Sequence, residues 1–232
     1  MNLDRVIVAL DFSNKKEALM IVDKLDELIE FYKVGFELFV SEGVDILRSL
    51  KKRNKKVFLD LKLYDIPNTV MKALKVILTY GVDMLSLHTM GGFDMLKRAK
   101  DVLEEAKIKE NITLKLLGVT VLTSLDSETL REIYDFNLSV SSLVKRLSII
   151  AKKAGLDGVI ASAHEISVIR ENCGKDFLIV TPGVRLEKLP YDDQKRTVTP
   201  KEAFMLGADY IVIGRALTYC QNPKGVLIDI FS

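Results

Sequence analysis

Two rhythms of apolar residues alternate along this chain: short continuous apolar runs, and longer stretches in which apolar positions return every three or four residues. The first rhythm suits strands buried on both faces and the second suits helices with one buried face. Arg5 to Leu10 is the first run; it ends at Asp11 and leads through Ser13, a candidate cap, into a helical pattern from Lys15 to about Ile29. Phe31 to Val34 is the second strand, and Gly35 opens a helix running to about Lys52. Lys56 to Lys62 follows as the third strand, with Pro67 suited to the first turn of the helix that continues to Tyr80. Met84 to His88 is the fourth, and Gly91 and Gly92 introduce a helix to about Ala106.

The fifth strand, Thr113 to Thr120, has a longer connection with a short helix at Asp126 to Tyr134 before the main one at Ser139 to Ala154. Gly158 to Ala161 and Leu178 to Thr181 are the sixth and seventh strands, separated by a helix from about Ala163 to Glu171. The stretch from Pro182 to Val198 has no clear period, and long loops in compact domains are usually functional or disordered. Thr199, Pro200 and Glu202 form a capping-box signature for a helix to Leu206. Tyr210 to Gly214 is the eighth strand, and the chain closes from about Ala216 as a helix and a tail.

Three helix-to-strand joints share one grammar. Y-G-V-D-M-L-S-L at 80, A-G-L-D-G-V-I-A at 154 and L-G-A-D-Y-I-V-I at 206 each place a glycine at a helix end, then any residue, an aspartate and an apolar strand. Glycine there supplies a left-handed cap. Eight strands alternating with helices predict a closed parallel (β/α)8 TIM barrel, because parallel neighbours need crossover connections. An open doubly wound sheet is the competing architecture, but no G-x-G-x-x-G turn follows the first strand.

Composition narrows the function classes. A chain of 232 residues suits one domain spanning 1–232, and 48% hydrophobic with 28% charged residues is the profile of a globular protein. Lys and Arg total 34 against 32 Asp and Glu, and the basic residues are scattered, which argues against a nucleic-acid surface. The one basic cluster, K-K-R-N-K-K at 51 to 56, reads as a solvated helix end. Cys173 and Cys220, far apart and with only two histidines, suggest neither a zinc site nor a disulfide framework. No apolar run is long enough for a membrane span, and the N-terminus lacks a signal-peptide pattern. The expectation is a soluble, cytoplasmic protein.

The third strand changes the picture. In V-F-L-D-L-K-L-Y-D-I-P-N-T, Asp60 and Lys62 lie two apart, so they share one strand face, and Asp65 comes just past the end. Buried charges survive only when paired or used, so a simple buried ion pair competes with a reactive site as the explanation. In a barrel, active sites form at the C-terminal strand ends. Those ends carry Asp11, Lys33, Asp60, Lys62, Asp65, His88, Thr120 to Ser124, Arg185 and Arg215. Gly183 and Gly214 would let backbone amides approach an anion, with Arg185 and Arg215 as planar donors, where such barrels commonly bind phosphate. Asp11 as a cap, Lys33 in solvent and His88 as a core histidine are the structural readings of each residue alone.

D-x-K-x-x-D at 60 to 65, together with A-L-D at 9, K-V-G at 33, V-L-T-S at 121, T-P-G-V-R at 181, Gln194 and I-G-R at 213, resembles the orotidine 5'-monophosphate decarboxylase family across essentially the whole chain. The resemblance implies conversion of orotidine monophosphate to uridine monophosphate in pyrimidine synthesis, without metal or organic cofactor. It implies that Lys62 protonates a carbanion within a network of Lys33, Asp60, Lys62 and Asp65. It further implies that Asp11 and Lys33 contact ribose, that Thr123 and Ser124 lie near the pyrimidine, and that Arg185, Gln194, Gly214 and Arg215 hold the phosphate. A homodimer is implied, with Asp65 and Thr69 serving the partner's site. Mg²⁺-dependent sugar-phosphate decarboxylases or synthases of the same barrel group share D-x-K-x-x-D but carry an acidic metal ligand where Lys33 stands. A Schiff-base aldolase and a non-catalytic phosphate-binding barrel also compete with this function.

Overall fold

The computed structural model describes residues 3–110, 112–134, 139–184 and 198–231. In chain order the elements are β1 (Val6–Ala9), α1 (Lys15–Lys24), β2 (Phe31–Val34), α2 (Phe36–Glu42), α3 (Val44–Lys51), β3 (Lys56–Leu63), α4 (Pro67–Leu78) and β4 (Met84–His88). They continue with α5 (Gly92–Glu110), β5 (Lys115–Val119), α6 (Ser127–Tyr134), α7 (Val140–Lys153), β6 (Gly158–Ile160) and α8 (Ile166–Cys173). The last are β7 (Leu178–Thr181), α9 (Pro200–Leu206), β8 (Tyr210–Ile213), α10 (Arg215–Thr218) and α11 (Pro223–Phe231). All eight strands are parallel and pair in sequence order, with β1 closing on β8. The chain is a TIM barrel.

Strand alternation sorts the core into two layers. Ile7, Ala9, Phe31, Phe58, Met84, Leu117, Val119, Ile160, Val180 and Val212 fill the barrel interior. The intervening residues, such as Val6, Val8, Tyr32, Leu59 and Leu85, face outward and pack under the helices. Burial on both faces explains why the strands read as continuous apolar runs.

Several local expectations shift. Asn14, not Ser13, caps α1, its side chain accepting from the Glu17 amide at 2.9 Å, and α1 ends at Lys24 well before Ile29. The single helix expected from Gly35 to Lys52 is two helices, broken at Gly43, whose φ of 57° only glycine adopts readily. The chain closes with two helices. The basic cluster after α3 is less solvated than expected. Lys55 is buried, with its ammonium donating to the carbonyls of Asp26 and Ile29 and pairing with the Asp26 carboxylate at 2.6 Å. The capping box at Thr199 and Glu202 forms with both reciprocal bonds. Among the described residues, no helix is long and apolar enough to cross a membrane.

Both fixed letters of the repeated joint have a physical purpose. Gly81, Gly155 and Gly207 all have positive φ, at 68°, 85° and 106°. Each aspartate then clamps its strand to the preceding one. The amides of Val57, Leu116 and Ile179 donate to Asp83, Asp157 and Asp209 at 2.8, 2.8 and 2.7 Å. In return, the three aspartate amides donate to the carbonyls of the same residues at 2.9, 3.0 and 2.9 Å. A cation completes each clamp: Lys51, Lys100 and Arg170 respectively. The joints stitch β3 to β4, β5 to β6 and β7 to β8 at the N-terminal face of the barrel. Replacing Asp209 by Ala removes the side-chain acceptor of the Ile179 N–H and the ion-pair partner of Arg170, which keeps its bonds to the Phe177 and Gly207 carbonyls, and should lower stability by about 1.5–3 kcal/mol in urea denaturation. A loss within error of zero would show that the clamp is not a stability determinant.

Candidate active site

At the opposite, C-terminal face the interior turns from apolar to charged. Above Phe31 and Phe58 stand Lys33 and Asp60, one pleat further along β2 and β3. Lys33 Nζ lies 3.0 Å from Asp11 Oδ1 and 3.8 Å from Asp60 Oδ2, and Lys62 Nζ lies 2.9 Å from that same Asp60 oxygen. Asp11, Lys33, Asp60 and Lys62 therefore form one line of alternating charge. Gly35 makes room for it: a Cβ there would sit 2.9 Å from the Lys33 ammonium nitrogen.

Lys62 reaches its place through an irregular strand. Leu59 pairs with Leu85 and Leu63 with Leu87, so Asp60, Leu61 and Lys62 stand opposite Ser86 alone. Lys62 takes φ +45°, a left-handed conformation that is uncommon for a residue with a side chain. Its N–H donates to the Ser86 hydroxyl at 2.8 Å, and that hydroxyl donates to Asp60 Oδ1 at 2.8 Å. The shared face expected of Asp60 and Lys62 is present, and the β3–β4 register slips beside it.

Burial pushes the Asp60 carboxyl upward. The charges of Lys33 and Lys62, with hydrogen bonds from Lys62 and Ser86, outweigh that and hold it below the ordinary carboxylate range. His88, at the end of β4, is held below its usual value by burial and then by the Lys62 charge. Its Nδ1 accepts from the Met90 amide at 3.3 Å, and its ring lies 5.5 Å from that of Tyr64.

A cavity of about 410 Å³ opens over this array. Its wall includes Asp11, Lys33, Asp60, Lys62, Thr123, Gly183, Gly214 and Arg215. The third-strand motif, the first two strand ends and the last two βα loops therefore meet at one site. Ser124 does not join them; it is exposed and outside the lining. Asp65 and Thr69 are also exposed and off the cavity of their own chain, Asp65 accepting from the neighbouring Ile66 amide at 2.7 Å. Arg185 and Gln194 lie outside the described residues. Glu37 and Tyr219 line the cavity although no motif marks them. Ser86 is equally unmarked, although counting in twos from Met84 to His88 points it inward. Among the described residues, no group of three or more His, Cys, Asp or Glu side chains is placed to hold a metal ion.

Charged side chains gathered at the C-terminal face of a TIM barrel, beside glycines after its last two strands, are the arrangement of a barrel enzyme. Residues 4–230 match the family model described as orotidine 5'-phosphate decarboxylase / HUMPS family, and the chain belongs to that family. It is 48% identical over 221 residues to the orotidine 5'-phosphate decarboxylase of Carboxydothermus hydrogenoformans, covering 95% of this chain and 92% of that one. It is 44% identical to the orotidine 5'-phosphate decarboxylase of Dictyoglomus thermophilum, with 99% and 94% covered. The crystal structure of orotidine 5'-phosphate decarboxylase from Lactobacillus acidophilus superposes with a TM-score of 0.85 at 39% identity, covering 97% and 96%.

The depressed His88 value has a signed consequence. Between that value and about 6.5, its ordinary one, the unfolded chain binds more proton than the native protein, so native stability rises with pH through the window and falls on acidification. The Asp60 contribution is lost only at lower pH, below its unfolded carboxyl value. Urea midpoints at about pH 7.5 and 5.5 should therefore drop more in the wild type than in His88→Asn. An equal or larger drop in the variant would contradict this.

Proposed function

We propose that this chain converts orotidine 5'-monophosphate to uridine 5'-monophosphate and CO2, as a carboxy-lyase of pyrimidine nucleotide synthesis, with Lys62 as the proton donor. The observation that supports it most is the Lys33–Asp60–Lys62 array, two ammonium groups on one oxygen of a buried carboxylate at the floor of a nucleotide-sized cavity. Breaking the bond to CO2 leaves its electron pair in the plane of the pyrimidine, where the ring π system cannot delocalise it well. Lys62 stabilises that pair by its charge and then delivers a proton to the same carbon. Asp60 lies near the substrate carboxylate and holds the ammonium in place. Because these charges are fixed by the fold, little reorganisation accompanies the reaction.

In this reading Asp11 and Lys33 bind the ribose hydroxyls, and Thr123 lies near the pyrimidine. Arg215 and the backbone at Gly214 hold the phosphate, with Arg185 and Gln194 from the long connection. Phosphate binding far from the reacting carbon would then contribute to lowering the barrier there. Lys33 supports this reaction over that of the Mg²⁺-dependent synthases, because a cation occupies the place of their acidic ligand.

The reading also includes a homodimer in which Asp65 and Thr69 complete the partner's site. Their exposure supports it, as does the apolar surface around them: Phe36, Tyr64 and Ile66 are 56%, 63% and 68% exposed, and the Phe36 ring lies 5.9 Å from Lys62 Nζ. Such surface on one rim is typical of an interface.

With chelator-treated protein, orotidine monophosphate should lose its ultraviolet absorbance, and Lys62→Ala should slow this by at least about 10⁴-fold. Product-nucleotide binding should stay close to wild type. No turnover by the wild type would sink the activity, and near-normal turnover by the variant would remove Lys62 from its role. Mixing inactive Lys62→Ala and Asp65→Ala proteins should restore up to about a quarter of wild-type activity through hybrid dimers with one intact site. No recovery from proteins shown to exchange subunits would place Asp65 in its own chain's site.

A further inference from the structure

We infer that Ser86 is a positioning residue for this reaction, one hydroxyl that sets both the orientation of Asp60 and the backbone turn presenting Lys62. The inference rests on the reading that Asp60 and Lys62 perform the chemistry. Ser86 is fully buried in the middle of β4 and is not part of the cavity wall, so it acts only through its neighbours.

A serine hydroxyl offers one donor and two acceptor positions. Here the donor goes to Asp60 Oδ1, and an acceptor position takes the Lys62 N–H, both at 2.8 Å. The first bond fixes the carboxylate about its terminal torsion. With Oδ1 committed to Ser86, Oδ2 is the oxygen turned to both Lys62 and Lys33. Rotating that carboxylate would replace an ion pair with a weaker contact on each side.

The second bond holds the bulge. Where three residues of β3 oppose Ser86 alone, the regular ladder is interrupted, and the Lys62 N–H is satisfied by the side chain instead. A residue at φ +45° persists only where its surroundings over-determine it. Alanine at 86 would remove both bonds while leaving the cavity wall intact. The Lys62 amide would lose its acceptor inside the barrel, and the turn that aims the ammonium would relax.

The test is single-turnover decarboxylation at saturating orotidine monophosphate, beside the affinity for uridine monophosphate and the thermal midpoint. Ser86→Ala should slow the chemical step about 10- to 100-fold. Its affinity for uridine monophosphate should stay within about threefold, because Arg215 and Gly214 are untouched and Lys33 keeps its 3.0 Å pair with Asp11. Ser86→Thr, which keeps the hydroxyl on a strand that tolerates β-branching, should recover most of the rate. Wild-type speed in Ser86→Ala overturns the inference. So does a folded Ser86→Thr as slow as the alanine variant, or a rate and affinity that fall together. Lys62→Ala measured alongside separates the two levels: an active Lys62→Ala defeats the underlying reading, whereas an inactive one beside a fast Ser86→Ala defeats only the role of Ser86.

Discussion

The carboxylate of Asp60 is the group on which the rest of this site depends. It sits directly above a plug of Phe31, Phe58 and other apolar side chains that excludes water from below. An ionised carboxyl there would lose several kcal/mol of solvation without compensation, roughly the penalty for any charge taken into a protein interior. Compensation comes from three sides: Lys33 on the neighbouring strand, Lys62 on its own, and Ser86 on the strand beyond. Because the three partners come from β2, β3 and β4, the charge cannot be kept without the barrel, and the parallel register is what delivers them to one point.

The two faces of the barrel divide stability from strain. At the N-terminal face, Asp83, Asp157 and Asp209 repeat one clamp, each with reciprocal backbone bonds and a cation. At those three joints the positive φ falls on a glycine each time. At the C-terminal face the β3–β4 ladder slips, and a lysine takes the left-handed conformation. Such a conformation costs on the order of 1–3 kcal/mol, a large share of the usual net stability of a domain. The clamp between β3 and β4 lies on the same strand pair as the slip, so the strained end is anchored by the most regular one.

Much of this is legible in the sequence because it follows from period and spacing. Strands buried on both faces announce themselves as apolar runs, and the G-x-D joints mark where each even-numbered strand from the fourth begins. Asp60 and Lys62 stand out because charge inside an apolar run is costly. Ser86 does not, since a serine in a strand is unremarkable until its two partners are known. The slip in register is equally hidden: it depends on which residue of β4 faces which of β3, a tertiary fact. Glu37 and Tyr219 reach the cavity from helical segments whose apolar pattern speaks only of the opposite face. The break at Gly43 is written as a glycine, but a lone glycine in a helical pattern does not say whether the helix stops.

The line Asp11, Lys33, Asp60, Lys62 is neutral when all four are ionised, and that neutrality shapes how a charged ligand can be held. Neighbouring opposite charges cancel at a distance, so the array attracts an anion only weakly from outside and acts strongly only on atoms in contact with it. The members are unequal. Asp11 is 46% exposed in its side chain and paired with Lys33, whereas Asp60 is 9% exposed and shared by both lysines. Protonating Asp60 would leave two ammonium groups facing one another across a neutral acid, which is why keeping it ionised matters more than the state of any outer group. A phosphate must then be attracted elsewhere, and the overall charge of +2 supplies no long-range field to do it. In the proposed reading, Arg215 and the backbone after β7 and β8 take that part. On that reading the phosphate is held apart from Asp60 and Lys62 on the cavity wall, and the array's share of binding is confined to the ribose contacts of its outer members, Asp11 and Lys33.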